Sequence, residues 1–416
     1  MKPELFALLA FLASGTTAAP NGSSKPVVLA PNSPLLHKHG RWDSALGTWW
    51  AGTGFKFVAS GLTSLTLHLG NRTTAPQIAA AVSIDYGGFT TINVTSGTNV
   101  IPLPGLSGSQ RGNRVVRINI EGWENNRMHL EHIELNTGAV VKPYKPSPLH
   151  FQFIGDSLSA GQYNPRGVND AWTFLTAQEF KAEHNINAQP GSCIVDQHCW
   201  WNYHGMSYQY FRTEDPGYYY TTDHNYTTPW DFSRDPTPTH IVIAIGANDD
   251  YYQLPSDIVD KTYLTFIQNL RKVYLKQPIF ILTPWGWAND DGVSPFTTYY
   301  DQVYPDVVNK RIAGGDRNIY LVNTTGWVDY NGVIPHNGHL NEVGHKQVVD
   351  KFTAWLKLQK PVVFEFTKIS FSASQTNKAP DVVTAGEGKC SPIASGGAEQ
   401  EDGAVSRVPG IPRSTA

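Results

Sequence analysis

Cysteine is scarce. The 416 residues hold three, at 193, 199 and 390, with no Cys-x-x-Cys pair and no Cys/His cluster of the kind that binds zinc. No metal or organic cofactor is implied. Charge is also low, at 16% of residues, and balanced: 32 Lys and Arg face 35 Asp and Glu, a net −3. That balance leaves no electrostatic footprint for a nucleic-acid partner. No apolar run reaches the roughly 20 residues that span a bilayer, so no membrane partner is expected. Aromatic residues, in contrast, are plentiful, with 12 Trp, 19 Tyr and 18 Phe. A chain disordered throughout is therefore excluded. At roughly 100–200 residues per domain, two or three domains are expected.

The N-terminus has its own logic. Lys2 precedes the apolar run Leu5 to Leu12, and small residues follow up to Ala19. This pattern predicts a secretory signal peptide over 1–19 and an extracellular protein. Residues 20–35 read as a flexible leader. Five N-x-S/T sequons, at Asn21, Asn71, Asn93, Asn225 and Asn323, agree with export. In an oxidising compartment Cys193 and Cys199 could close a small loop, and three free thiols is the alternative.

Residues 36–142 predict an all-β domain. Leu65-Thr66-Leu67-His68-Leu69, Val82-Ser83-Ile84-Asp85-Tyr86 and Val116-Arg117-Ile118-Asn119-Ile120 each alternate apolar and polar residues. Such period-two runs, punctuated by Gly and Asn, indicate an antiparallel sandwich. Three prolines between Lys142 and Pro148 mark a boundary.

From 149 to 360 the pattern becomes α/β. Leu149–Ile154, Ile241–Ile245, Ile279–Leu282 and Ile319–Val322 read as buried strands. Asp170–Ala182, Ser256–Lys276 and stretches around Tyr304 and Phe352 read as amphipathic helices. Strands apolar on both faces between such helices mean a three-layer domain with a parallel sheet, whose ligands sit at the carboxyl ends of the strands. One segment fits neither pattern: Trp200 to Phe232 contains no Val, Ile or Leu and is crowded with Tyr, Trp, His and Asn. It reads as a long functional excursion. Residues 373–416 read as a disordered tail.

Four short stretches fall at the ends of these elements. Gly155-Asp156-Ser157-Leu158-Ser159 follows the first strand and exposes a Ser on a turn. Gly191-Ser192-Cys193 offers a backbone N–H that can approach a ligand closely. Gly246-Ala247-Asn248-Asp249 places an amide NH₂ after another strand. His339, in His339-Leu340-Asn341-Glu342-Val343-Gly344-His345, opens the last helix and can take and return a proton. Singly each is weak: a turn, a cap, a satisfied polar residue. Jointly, in order and each at the right end of its element, they indicate a catalytic site.

Their order and wording resemble the SGNH (GDSL) hydrolase superfamily of esterases over about residues 149–358. The N-terminal β segment, with Gly40-Arg41-Trp42-Asp43 and Trp49, resembles the jelly roll that precedes the hydrolase domain in carbohydrate esterase family 2, acetyl xylan esterases among them. The resemblance implies Ser157 as nucleophile and His339 as base. It also implies an oxyanion hole from the Ser157 N–H, Gly191 and Asn248. One departure stands out. Three residues before His339, where the superfamily has Asp, lies His336, and two before lies Asn337. A backbone carbonyl, the Asn337 amide oxygen or a distant acid such as Asp329 must then hold the imidazole, or the enzyme is impaired. His345 and Asp156 read as structural.

Sugar rings offer apolar faces and polar rims that Tyr and Trp match. The aromatic excursion, together with Trp285 as a substrate-lining residue, therefore predicts an acetylated polysaccharide or oligosaccharide substrate of the xylan or mannan type. Two other readings stay open: a GDSL lipase or lysophospholipase, and a non-catalytic carbohydrate-binding protein on an esterase scaffold. Trp42, Trp49 and Trp50 read as either a sugar platform or buried packing.

Overall fold

The computed structural model describes residues 25–106, 112–123, 126–212 and 228–359. The expected signal peptide, the tail, Cys390, Asn21, Asn225 and residues 213–227 of the aromatic excursion lie outside the described residues.

Among the described residues eleven strands come first: β1 (Val27–Leu29), β2 (His37–His39), β3 (Gly47–Thr48), β4 (Gly54–Ser60), β5 (Leu65–Leu69), β6 (Ile78–Ile84), β7 (Thr90–Val94), β8 (Gly97–Val100), β9 (Asn113–Ile120), β10 (Met128–Leu135) and β11 (Val140–Lys142). They form two antiparallel sheets. One runs β1-β10-β5-β8 with β3 on β10, the other β11-β4-β9-β6-β7 with β2 on β4. The pleat sends alternate side chains to opposite faces. Leu65, Leu67 and Leu69 of β5 are thus buried, while Thr66 and His68 are not. They share one core with Phe55 and Phe57 of β4, Ile118 of β9 and Leu130 of β10. Trp42, 1% exposed, joins that core, and the equally buried Trp49 and Trp50 pack into the next domain. All three are packing residues, not a sugar platform.

After the proline segment comes a five-stranded parallel sheet. Its strands are β12 (His150–Gly155), β13 (Glu183–Ala188), β14 (His240–Ala244), β15 (Ile279–Leu282) and β16 (Ile319–Val322), in the order β13-β12-β14-β15-β16. Its helices are α1 (Ser157–Ala160), α2 (Trp172–Glu179), α3 (Met206–Gln209), α4 (Ala247–Tyr251), α5 (Ser256–Val273), α6 (Val303–Ala313) and α7 (Glu342–Leu358). Phe153, Val242 and Phe280 face α2 and α7, where Trp172, Val348 and Phe352 meet them. Ile154, Ile243 and Ile281 face α5 and α6, against Val259, Phe266 and Val307. Both faces of the sheet are covered, as the continuous apolar strands require.

β13 has no apolar signature, since it reads Glu-His-Asn-Ile-Asn-Ala, yet every residue in it is buried. The β domain covers this edge with polar partners. The Lys56 ammonium lies 2.6 Å from Glu183, His37 Nε2 is 3.2 Å away, and the Tyr144 hydroxyl donates to the same carboxylate at 2.8 Å. The Gly40 N–H donates to Asn185 at 2.9 Å. Arg41, also from the β domain, is 2% exposed and inserts among the rings of Trp50, Tyr210 and Trp230, 5.1–5.2 Å from each centroid. It donates to the carbonyls of Tyr210 and Arg212. Tyr210, Phe211, Trp230 and Phe232 of the aromatic excursion are therefore core residues that hold the two domains together.

Candidate active site

The turn after β12 is tight. A Cβ at Gly155 would sit 2.3 Å from the Ser159 hydroxyl and 2.9 Å from the Ala244 carbonyl. Asp156 then caps α1, its Oδ1 accepting from Leu158 N at 3.0 Å. Ser157 is left at the first helical position, where the backbone N–H has no partner inside the helix. Asp156 is buried, which pushes its carboxyl up to about 7. It serves as a cap and a turn-former.

His339 does not open the last helix. It sits two residues before Asn341, the N-cap of α7, whose Oδ1 accepts from Val343 and Gly344. A tight turn places it: Ile334 N donates to His339 O at 2.8 Å, Val333 bridges Leu340, and Gly338 takes φ +78°. From there Nε2 lies 2.9 Å from Ser157 Oγ across 182 residues of sequence.

The other ring nitrogen, Nδ1, lies 2.6 Å from Asn337 Oδ1 and 3.4 Å from the Asn337 carbonyl. The His339 backbone N–H also points at that Oδ1, at 3.2 Å. A backbone N–H can only donate, so the atom it faces is the amide oxygen, not the nitrogen. Nδ1 therefore carries its hydrogen, and Nε2 presents a lone pair to the Ser157 hydroxyl. Of the three supports open to the imidazole, the Asn337 amide oxygen is thus the one closest to Nδ1, and His336 stands where the resemblance implies an acid. Asp329 is engaged elsewhere, capping a short 3₁₀ turn through Asn331 N. Burial lowers the His339 pKa to about 4, the Asn337 bond opposing it. Tyr163 meets the ring edge to face at 4.8 Å, from a left-handed backbone at φ +70°.

Gly191 follows β13 with φ +76°. Asn248, in α4, donates from Nδ2 to the Ser192 carbonyl at 3.0 Å. Its neighbour Asp249 accepts from Ile194 N and Val195 N, at 2.8 and 3.1 Å, and so ties the Gly191 turn to β14. Burial raises the Asp249 carboxyl to about 6. Cys193 and Cys199 are bonded to each other and fully buried. Among the described residues no group of three His, Cys, Asp or Glu is arranged to hold a metal ion.

The turns bearing Ser157, Gly191 and Asn248 thus gather at the carboxyl ends of three adjacent strands, β12, β13 and β14, with His339 brought against the first. Trp285 departs from the sequence expectation. It is 5% exposed, stands edge to face on Trp172 at 6.4 Å, and lines only a small recess beside Asp156 and Leu158. His345 is a buried packing residue, as expected, its Nδ1 accepting from Trp172 N at 3.1 Å. Sequence reasoning did not single out Tyr163 or Trp200. The indole Nε1 of Trp200 donates to Asn248 Oδ1 at 3.2 Å. No spacing rule finds such residues, because turns separated in sequence deliver them. Nor were Tyr251 and Tyr252 singled out; with Trp201 of the excursion they are 37–46% exposed.

The GDSL-like lipase/acylhydrolase family model matches residues 152–352. A search of curated proteins finds no match. Solved structures of the same fold include a family two carbohydrate esterase from Cellvibrio japonicus, 15% identical, with TM-score 0.64 over 82% of this chain and 99% of that one. An acetyl xylan esterase from Butyrivibrio proteoclasticus is 15% identical, TM-score 0.62, over 81% and 100%. A family two carbohydrate esterase from Clostridium thermocellum in complex with cellohexaose is 18% identical, TM-score 0.60, over 79% and 99%. The Ser157 turn, the strand order and the family match agree: residues 152–352 form a GDSL-like lipase/acylhydrolase domain, that of a serine carboxylic ester hydrolase.

Proposed function

We propose that the protein is a secreted carbohydrate esterase that removes short acyl groups, acetyl foremost, from sugar hydroxyls. One observation carries the catalytic part: the 2.9 Å contact between Ser157 Oγ and a His339 Nε2 whose tautomer is set from behind. His339 takes the Ser157 proton as Oγ attacks the ester carbonyl. The oxyanion is held by the Ser157 and Gly191 N–H groups and the free hydrogen of Asn248 Nδ2. In sites of this kind one such donor is worth about 3–4 kcal/mol. The proton passes to the departing sugar alcohol, and water, activated by the same imidazole, releases the carboxylic acid and restores Ser157.

Exposed Trp201, Tyr251 and Tyr252, close to Asn248 and Trp200, support a sugar ligand over a lipid chain. Relatives in fold that are described as an acetyl xylan esterase and as a cellohexaose complex point the same way. The two-sheet β domain is read as the jelly roll of those esterases. The disulfide and the exposed sequon residues Asn71, Asn93 and Asn323 suit an exported protein.

The test compares hydrolysis of acetyl and long-chain nitrophenyl esters and of acetylated xylan by the wild type and Ser157→Ala. Acetyl preference, acetate release from xylan and loss of both in the variant are expected. Long-chain preference would overturn the sugar assignment. A wild type that fails to react with a fluorophosphonate would overturn the catalytic one.

A further inference from the structure

We propose that Trp200 is the positioning residue of the oxyanion hole, acting through Asn248; the inference rests on the ester hydrolysis proposed above. A side-chain amide rotated by half a turn fills the same space, so something must decide which end faces the substrate. Here two one-way partners decide it. The Trp200 indole N–H only donates, and it meets Oδ1 at 3.2 Å. The Ser192 carbonyl only accepts, and it meets Nδ2 at 3.0 Å. The amide is then locked with one Nδ2 hydrogen spent and one left for a developing oxyanion. Without the indole N–H, only the Ser192 carbonyl opposes the flip, and the flipped fraction sets a carbonyl oxygen against that negative charge.

Trp200 is itself held from several sides. Its backbone N–H donates to the Tyr252 hydroxyl at 2.7 Å, and its ring stacks on Tyr251 at 4.9 Å. Its φ of +53° is a strained value for a bulky residue, the kind that persists only where surroundings enforce it. Cys199, the residue before it, is bonded to Cys193, two residues past Gly191. A Cβ at Gly191 would lie 3.0 Å from Trp200 Cβ. One side chain therefore backs both oxyanion donors that do not come from Ser157.

The experiment replaces the indole N–H and keeps the ring. Trp200→Phe, and the wild-type chain with benzothienylalanine at 200 (sulfur for N–H, same shape), are assayed on a small acetyl ester, alone and in an Asn248→Ala background. The expected result is a fall in kcat of about tenfold or more with KM within about twofold, part of the 10²–10³ that loss of a whole donor brings. In Asn248→Ala, the same change at 200 should alter kcat less than about twofold. Wild-type kcat in the benzothienyl protein would overturn the inference. So would a raised KM at constant kcat, which marks a sugar platform, or equal losses in both backgrounds. If the Trp200→Phe protein does not fold, the isosteric analogue decides. A wild type inert on every acyl ester sinks the underlying reading, whereas an active wild type indifferent to position 200 sinks this one alone.

Discussion

Replacing Asn337 with aspartate would supply the charge that the site lacks. The amide oxygen already lies 2.6 Å from His339 Nδ1, so a carboxylate would take over an existing bond. A unit charge about 4 Å from the imidazolium, at an effective dielectric of about 20, is worth about 4 kcal/mol. The present neutral hydrogen bond supplies part of that, and desolvation of a half-buried carboxylate removes more. A net gain of about 1–3 kcal/mol remains, or roughly 5–150-fold in the stability of the protonated ring. Two effects follow. At pH 8, kcat/KM on nitrophenyl acetate should rise, by tenfold or so. The acid limb of kcat/KM, which reports the free-enzyme imidazole, should climb from near 4, where burial holds it, to about 5–6. The variant would thus be faster in mild alkali and lose activity sooner in acid. The assay is a kcat/KM profile from pH 3.5 to 9. An unmoved acid limb with an unchanged or lower rate at pH 8 would refute the assignment of Asn337 as the partner of Nδ1. Asn337→Ala, which leaves Nδ1 unsupported, should lower kcat by about 10–100-fold.

Glu183→Gln should strand the Lys56 ammonium at the domain interface, where their side chains are 3% and 4% exposed. Burial alone would raise the Glu183 pKa, but His37 and Lys56 hold it well below the usual carboxylate range. Breaking one side of such a pair costs about 3–5 kcal/mol, seen as a lower melting temperature. The double variant Glu183→Leu with Lys56→Met should recover most of it, and a single variant as stable as wild type would contradict the reasoning. Acid should unfold the chain early. Burial holds His39 well below 6.5, His150 to about 4, and His184, His240 and His345 to about 3. Their stabilisation is complete above about pH 6.5 and is lost as pH falls toward 3–4, where the unfolded chain binds the protons. Buried Asp156, Asp235 and Asp249, raised to about 7, 6 and 6, act in the opposite sense, but the histidines are more numerous and further displaced. Denaturant midpoints from pH 7 to 4 should fall, and a flat series would show that these imidazoles do not stay neutral.

Much of this was legible beforehand. Ile279–Leu282 and Ile319–Val322 coincide with their apolar runs, because a continuously apolar run needs cover on both faces of the sheet. Ser157, Gly191 and Asn248 lie at strand ends for a related reason: each motif begins where the apolar run stops. β13 was not legible, since Lys56, His37 and Gly40, from a different domain, satisfy its Glu and Asn. The aromatic excursion misled in part. Composition cannot separate a ring that meets sugar from one that cages Arg41, and Tyr210 and Trp230 do the latter. Trp285 is likewise a buried ring packed on Trp172.

By itself, then, the amino-acid order determined the change from alternating to continuously apolar strands, four of the five strands of the central sheet and the turns at their ends, because local periodicity and turn residues act over a few neighbours. Only the tertiary structure decided what supports His339 and what aims Asn248. Hydrogen-bond partners such as Asn337 Oδ1 and the Trp200 indole are chosen by direction and by distances of about 3 Å. Those are properties of packed turns brought together from separate parts of the chain.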